Sequence, residues 1–358
     1  MAEAATDQHD DLYPFDRFGL KGHSEVIDHI LLPTNRSHPA WILAGPEGIG
    51  KATAALHLAA RLLSYQSDPL FGNDAAAIIG ASRNQVSRLI RAGSHPDLKI
   101  IRHGGDAGRK TISIDQIREM TSFLSMTPSM GDWRVVVIDA LDNIGVNGAN
   151  AMLKTLEEPP KNTMILIICH APGAILPTIR SRSRLIRFDP LDDADSREVI
   201  SQLYPDIDPE WMDIMVHIAD GAPGRASMAA ETGSIELYAE TLKALTQPSC
   251  DKVLAERLSG QWGAAGVRNH DRRHMAMLLF ERIIRLAANH ATNHASGNLS
   301  SSSLALEQSA IEHLAARHNA SHLAEWHQSF LRDWRRAESL NLAMAPLILR
   351  NLMQLSHT

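Results

Sequence analysis

Between residues 41 and 188, short apolar runs rich in β-branched side chains alternate with stretches of helical spacing. The runs fall at 41–44, 98–101, 135–138, 164–169 and 185–188. Such alternation predicts a wound parallel sheet. Val135-Val136-Val137-Ile138 is continuously apolar, where a strand with one wet face would alternate, and so predicts a central strand covered by helices on both sides.

After Pro190 the strand signals stop. Helical spacing at 192–203 and 209–219 is followed by the break Gly221-Ala222-Pro223-Gly224 and a further helix from Arg225. Beyond these, 252–258, 272–289, 304–317 and 322–355 carry helical spacing, interrupted by the polar stretch 293–303, whose serine run at 300–303 reads as a flexible connection. The expected organisation is therefore an α/β domain over 1–190, a small helical domain over 191–245 and an all-helical domain over 246–358. No repeat of fixed period is present.

Composition narrows the function classes. A chain of 358 residues with 44% hydrophobic and 21% charged residues has the make-up of a globular protein of two or three domains. The apolar run 164–169 is far too short to span a bilayer, and the acidic N-terminus has neither a basic start nor an apolar stretch, so a cytoplasmic location is expected. Cys169 and Cys250 cannot build a disulfide framework or a C-x-x-C zinc site. A formal charge of −6 offers no global attraction for DNA, which leaves local basic patches or protein partners. His290/His294 and His318/His322 have i, i+4 spacing, but without carboxylate or cysteine support no metal site is expected.

Gly45-Pro46-Glu47-Gly48-Ile49-Gly50-Lys51 follows an apolar strand and precedes helix-forming residues, the context of a phosphate-binding loop. Gly45, Gly48 and Gly50 let backbone N–H groups curl around phosphate oxygens, and Lys51 can reach the terminal phosphates. The next position should carry a hydroxyl for magnesium and is Ala52; Thr53 projects about 100° further round the helix. Asp139 ends the strand at 135–138, where it would hold the metal through water, yet the residue after it is Ala140 rather than a glutamate that polarises the attacking water. Two defects in one site argue for lost hydrolysis. Asp142 reads as a loop or cap residue.

Ala149, Met152, Leu153 and Leu156 form an amphipathic helix stripe ended by Pro159-Pro160. The wording around that stripe says more. Gly148-Ala149-Asn150-Ala151-Met152-Leu153-Lys154-Thr155-Leu156-Glu157-Glu158-Pro159-Pro160 and Ser181-Arg182-Ser183 resemble segments of the clamp-loader branch of the AAA+ proteins, the delta-prime-type subunits of bacterial DNA polymerase III most closely. Gly22-His23, Ser94-His95-Pro96-Asp97 and Ile114-Asp115-Gln116-Ile117-Arg118 match as well, so the resemblance covers roughly residues 12 to 230.

The resemblance implies an AAA+ P-loop domain, a helical lid and an oligomerisation collar. It implies that Arg182 is an arginine finger entering a neighbouring subunit's ATP site, that Arg225 is a sensor-2 arginine, and that His170 occupies the sensor-1 position. Arg180, Arg182 and Arg184 alternate, and on an extended segment they would instead form a basic rim or a DNA-backbone contact. The family's four-cysteine zinc module has no counterpart, since residues 64–95 lack cysteine, and no zinc is expected. The chain is expected to need no cofactor, with ATP binding weak or vestigial. Implied partners are gamma/tau-type ATPase subunits, the clamp-opening delta subunit and, through the complex, primed DNA and the sliding clamp, with no membrane. Such a chain is not catalytic alone; it would be a subunit of an ATP-driven loader and of a polymerase holoenzyme. The alternative is an active AAA+ ATPase, a gamma-type loader subunit or a branch-migration motor, against which Ala52 and Ala140 both speak.

Overall fold

A computed structural model describes residues 21–32, 38–64, 85–102, 112–141, 144–247, 251–266, 269–292 and 305–356. Asp142, Cys250, His294 and the polar stretch 293–303 lie outside them. The chain divides into two compact units, Met1–Pro205 and Asp206–Thr358.

The first unit opens with α1 (Ser24–Leu31), β1 (Ala40–Ala44), α2 (Lys51–Leu63), β2 (Leu98–Arg102) and α3 (Ile114–Ser125). It continues with β3 (Arg134–Asp139), α4 (Val146–Glu157), β4 (Thr163–Cys169), the short α5 (Pro177–Arg180), β5 (Arg184–Arg187) and α6 (Asp193–Leu203). The five strands form one parallel sheet in the order β2-β3-β4-β1-β5. Every residue of β1 and β4 is buried, as continuously apolar strands between two helical layers must be. The edge strands carry charges where they meet solvent: Lys99 and Arg102 on β2, Arg184 and Arg187 on β5.

One face of the sheet, with Ile42, Val136, Ile138, Ile165 and Ile167, packs against Ile117 and Met120 of α3 and against Ala149, Met152 and Leu156 of α4. That is the apolar stripe legible at 149–156. Local chemistry fixes the helix starts. Ser113 and Gln116 cap α3 reciprocally, and Asp192 accepts the Asp195 amide at 2.7 Å at the start of α6. Chain leaving β1 crosses to the β2 edge while chain leaving β4 crosses to β5, so the two connections leave the C-terminal ends of these neighbouring strands in opposite directions. Open parallel sheets bind ligands at that kind of crevice.

Ser94-His95-Pro96-Asp97 turns out to be a structural latch. The Asp97 carboxylate, fully buried, accepts the amides of Ser129 and Met130 at 2.7 and 2.8 Å and pairs with buried Arg134 at 3.5 Å. Arg134 donates in turn to the Thr127 carbonyl at 2.6 Å and lies over the Phe123 ring.

The second unit is helical: α7 (Pro209–Ala219), α8 (Pro223–Glu231), α9 (Ser234–Leu245), α10 (Lys252–Trp262), α11 (His270–Thr292), α12 (Ala305–Arg317), α13 (Ala320–Ser339) and α14 (Met344–Ser356). Trp262, Phe280, Phe330 and Trp334 form its aromatic spine, and the Trp262 indole donates to Thr241 Oγ1 at 3.0 Å. A Cβ on Gly263 would lie 2.4 Å from the Ala345 nitrogen, so only glycine lets the end of α10 meet the start of α14.

Two sequence expectations are corrected here. The helical spacing of 322–355 is broken: Asn341 adopts a left-handed φ of 55°, the Leu342 amide bonds the Ala337 carbonyl and the Asn341 amide bonds the Glu338 carbonyl. This pair of bonds is a Schellman stop, after which α14 resumes the apolar stripe. His318 and His322 are also not on one helix face, because α12 ends at Arg317 and Asn319 caps α13; their rings nevertheless lie 5.2 Å apart across the turn.

Candidate functional site

At the C-terminal edge of the sheet the phosphate-loop residues, Asp139 and His170 come together. Ala44 pairs with Cys169, the Gly45 amide donates to the Cys169 carbonyl at 3.2 Å, and β3 ends at Asp139 beside β4. A Cβ on Gly45 would stand 2.4 Å from the Phe188 carbonyl oxygen, and the Phe188 amide donates to the Ala44 carbonyl at 2.8 Å. His23, from the Gly22-His23 match, packs on the Phe188 ring with centroids 4.7 Å apart. The start of the loop thus lies against the Phe188 backbone, and the Phe188 ring packs on a buried imidazole.

Gly48 and Gly50 have φ of 82° and 100°, values that L side chains rarely adopt, and Gly50 leads into α2 with its carbonyl accepting the Ala54 amide. Lys51 is buried at 3% exposure; its ammonium donates to the loop's own Gly45 and Pro46 carbonyls at 2.7 and 2.6 Å. The ammonium therefore closes the loop upon itself. Ala52 puts a methyl group where magnesium would need a hydroxyl, Thr53 lies half-buried one position on, and Ala140 is buried at 2% exposure after Asp139. The positive-φ glycines suit a backbone that turns its amides toward a phosphate group, whereas Ala52 and Ala140 supply neither a magnesium ligand nor a base for an attacking water. Among the described residues no group of three or more His, Cys, Asp or Glu side chains is placed to hold a metal ion, and no helix is long and apolar enough to cross a membrane.

Arg182 stands at the opposite edge. It precedes β5, whose Arg184 pairs with Trp41 and whose Arg187 pairs with Ala44, so the length of β1 separates it from Gly45. For five residues that is roughly 16 Å. Its guanidinium contacts Glu157 at 2.6 Å and donates to the Thr178 carbonyl at 3.0 Å and to Ser181 Oγ at 3.2 Å. Arg182, Glu157 and Ser181 line an open cleft of about 580 Å³ with His38, Pro39, Leu156 and Pro159. Burial holds the His38 imidazole below its ordinary pKa; its bond to the Ala40 carbonyl opposes this and nearby Arg184 reinforces it.

The contact of Glu157 with Arg182 joins the Leu156-Glu157-Glu158-Pro159-Pro160 and Ser181-Arg182-Ser183 segments, which the sequence showed only as separate matches. Glu157 had no assigned role there, although its place in the matching wording was the available signal. Arg180, Arg182 and Arg184 do not share an extended face, because residues 177–180 form a helical turn and the Arg182 amide bonds the Ile179 carbonyl. In the second unit, Arg225 lies in the first turn of α8 with its guanidinium 4.0 Å from Asp220.

The family model described as "DNA polymerase III, delta subunit" matches residues 24–192, the stretch that carries both edges of the sheet. Over this stretch the chain is similar to that family. DNA polymerase III subunit delta' of Pseudomonas aeruginosa is 31% identical over 226 residues, 63% of this chain and 66% of that protein. The Bacillus subtilis delta' subunit is 28% identical over 58% of this chain and 59% of its own length. The Bacillus subtilis tau subunit is 27% identical over 56% of this chain and 32% of its own length. The matched regions thus span less than two thirds of these relatives' lengths.

Proposed function

We propose that the chain is a delta-prime-type clamp-loader subunit of a DNA polymerase III holoenzyme, assembled with gamma/tau-type ATPases and a clamp-opening delta subunit, that lends Arg182 to a neighbour's ATP. One observation carries this reading: Arg182 is half-exposed, held by Glu157, and set at the sheet edge away from the chain's own phosphate loop. A guanidinium there can neutralise the charge that builds on a transferred phosphoryl group only in another subunit's site. The self-closed Lys51 ammonium, Ala52 and Ala140 support loss of hydrolysis in the chain's own loop, with nucleotide bound weakly or not at all. The region 246–358 serves as the collar and 191–245 as the lid, with Arg225 as its nucleotide sensor.

In a reconstituted loader, Arg182→Ala abolishes ATP-driven clamp loading while the complex still assembles; normal loading by this variant overturns the assignment. The second reading is an active ATPase, a gamma-type loader subunit or a branch-migration motor, against which Ala52 and Ala140 speak. Steady-state ATP turnover by the isolated chain that disappears in Lys51→Ala would establish it.

A further inference from the structure

In the second unit, helices from the proposed lid and collar meet around one buried carboxylate. Glu307 of α12 is fully buried. The Tyr238 hydroxyl of α9 donates to its Oε1 at 2.6 Å, Arg282 of α11 donates through Nε at 3.0 Å, and the His217 ring of α7 contacts its Oε2. The same guanidinium then reaches a second carboxylate: Arg282 Nη1 lies 3.1 Å from Asp220 Oδ1. Arg285, one turn on, holds Asp220 Oδ2 at 2.8 Å, and Arg225 faces that oxygen at 4.0 Å. Asp220 itself sits at a left-handed φ of 49°, where α7 stops and the turn to α8 begins. The Ala222 and Arg225 amides close that turn on the Ala219 and Ala222 carbonyls.

Among the described residues Arg282 is therefore the one side chain seen to touch both carboxylates, and it is 7% exposed. Glu307 and Arg282 are buried, so removing either strands the other charge away from water, whereas Asp220 keeps 39% of its side chain open to water. The buried Glu307 end fixes the Arg282 guanidinium, so its contact with Asp220 ties the start of the turn to α11.

We propose that Arg282 is a positioning residue that couples the collar helix α11 to the Asp220–Arg225 turn, so that assembly of the collar with other subunits sets where Arg225 stands. The assembly step rests on the proposed function above; the coupling within the unit does not. Neither Glu307 nor Arg282 touches nucleotide in this scheme. The pair transmits position, and Asp220 is the point at which the turn receives it.

Hydrogen–deuterium exchange of the full chain tests the coupling. In Arg282→Met, which keeps side-chain length without the charge, amides of residues 219–226 exchange at least about ten-fold faster than in the native chain, while those of α10 and α14 change less than about two-fold. Arg282→Lys recovers the thermal midpoint but not the protection of the turn, because one ammonium reaches one carboxylate and not both. Asp220→Asn, which leaves the Glu307 contacts intact, gives the same selective loss and serves if Arg282→Met does not fold. Equal acceleration in the turn and in the collar helices, or none in either, overturns the proposal. With gamma/tau-type subunits added, native residues 219–226 gain protection and those of Arg282→Met do not. Loss of protection in both variants without any change in the labelled-ATP affinity of Arg225→Ala would retain the coupling and overturn the sensor role alone.

Discussion

The Glu157 carboxylate lies 2.6 Å from the Arg182 guanidinium, and both side chains are partly open to water, at 49% and 34% exposure. A pair so placed contributes only about 0–1 kcal/mol to stability, so its consequence is one of aim. With the Thr178 carbonyl and Ser181 it holds the guanidinium in one direction at the rim of the cleft. Glu157→Gln should therefore leave the unfolding midpoint nearly unchanged while slowing ATP hydrolysis by the reconstituted loader less than Arg182→Ala does. The double variant should be no slower than Arg182→Ala alone. Additive losses in the loader's ATPase would show that Glu157 acts elsewhere.

The phosphate loop makes a prediction about stability alone. Gly45→Ala would set a methyl 2.4 Å from the Phe188 carbonyl oxygen, a backbone atom that β1–β5 pairing holds in place. Relief requires moving the sheet edge, at a cost of roughly 1–3 kcal/mol. Gly173→Ala, with nothing within 4 Å of the added carbon, should cost less than about 0.5 kcal/mol. Urea denaturation of the two variants separates close approach from a general intolerance of glycine replacement.

The sheet and the loop were legible because their causes are local. Continuous apolar runs mark strands buried on both faces, and the Gly45–Lys51 wording needs only its own strand and helix as context. The break at Asn341 was hidden because the apolar stripes of α13 and α14 run on in the same spacing; Asn341 and Pro346, in the first turn of α14, were the signals against one continuous helix. The Glu157–Arg182 and Arg282–Glu307 contacts span 25 residues each and were invisible to periodicity. Charge pairs of that reach depend on how elements cross, which no local pattern encodes. Ser94-His95-Pro96-Asp97 was read only as a matching phrase, and its work proved to be the latch on residues 127–134.

Histidines predict a dependence on pH. His95 Nδ1 accepts the Asp97 amide at 3.1 Å, so protonation there removes an acceptor from a buried donor. Burial holds the His95 imidazole below its ordinary pKa of 6.5 against the pull of Asp97, and it does the same to His23 against Asp189 and Asp195. Both pKa values are lower in the folded chain than in the unfolded one, so the unfolded chain binds more protons as the solution is acidified below about pH 6.5. Their contribution is complete above that value and is lost as pH falls through the folded pKa values. The urea midpoint should drop between pH 7.5 and 5.5, and His95→Asn, whose Oδ1 can still accept the amide, should flatten the drop. An unchanged slope in that variant would assign the dependence elsewhere.

Asp97 and Arg134 give the largest expected loss. The carboxylate meets two amide donors and a guanidinium with no exposure of its own, and Arg134 is 4% exposed. Asp97→Asn keeps one acceptor oxygen, turns an amide NH2 toward a backbone N–H and leaves Arg134 charged and unmatched. Breaking a buried pair from one side costs about 3–5 kcal/mol. Arg134→Met in the same chain removes the stranded charge, so the double variant should be more stable than the sum of the single losses predicts. The loop they pin carries Met126 at 59% and Met130 at 40% exposure. Once Asp97 no longer holds the Ser129 and Met130 amides, limited proteolysis should cut within residues 126–131 well before the sheet unfolds. Cleavage elsewhere first, with this loop intact in Asp97→Asn, would mean that the latch is held by Arg134 and the Thr127 carbonyl alone.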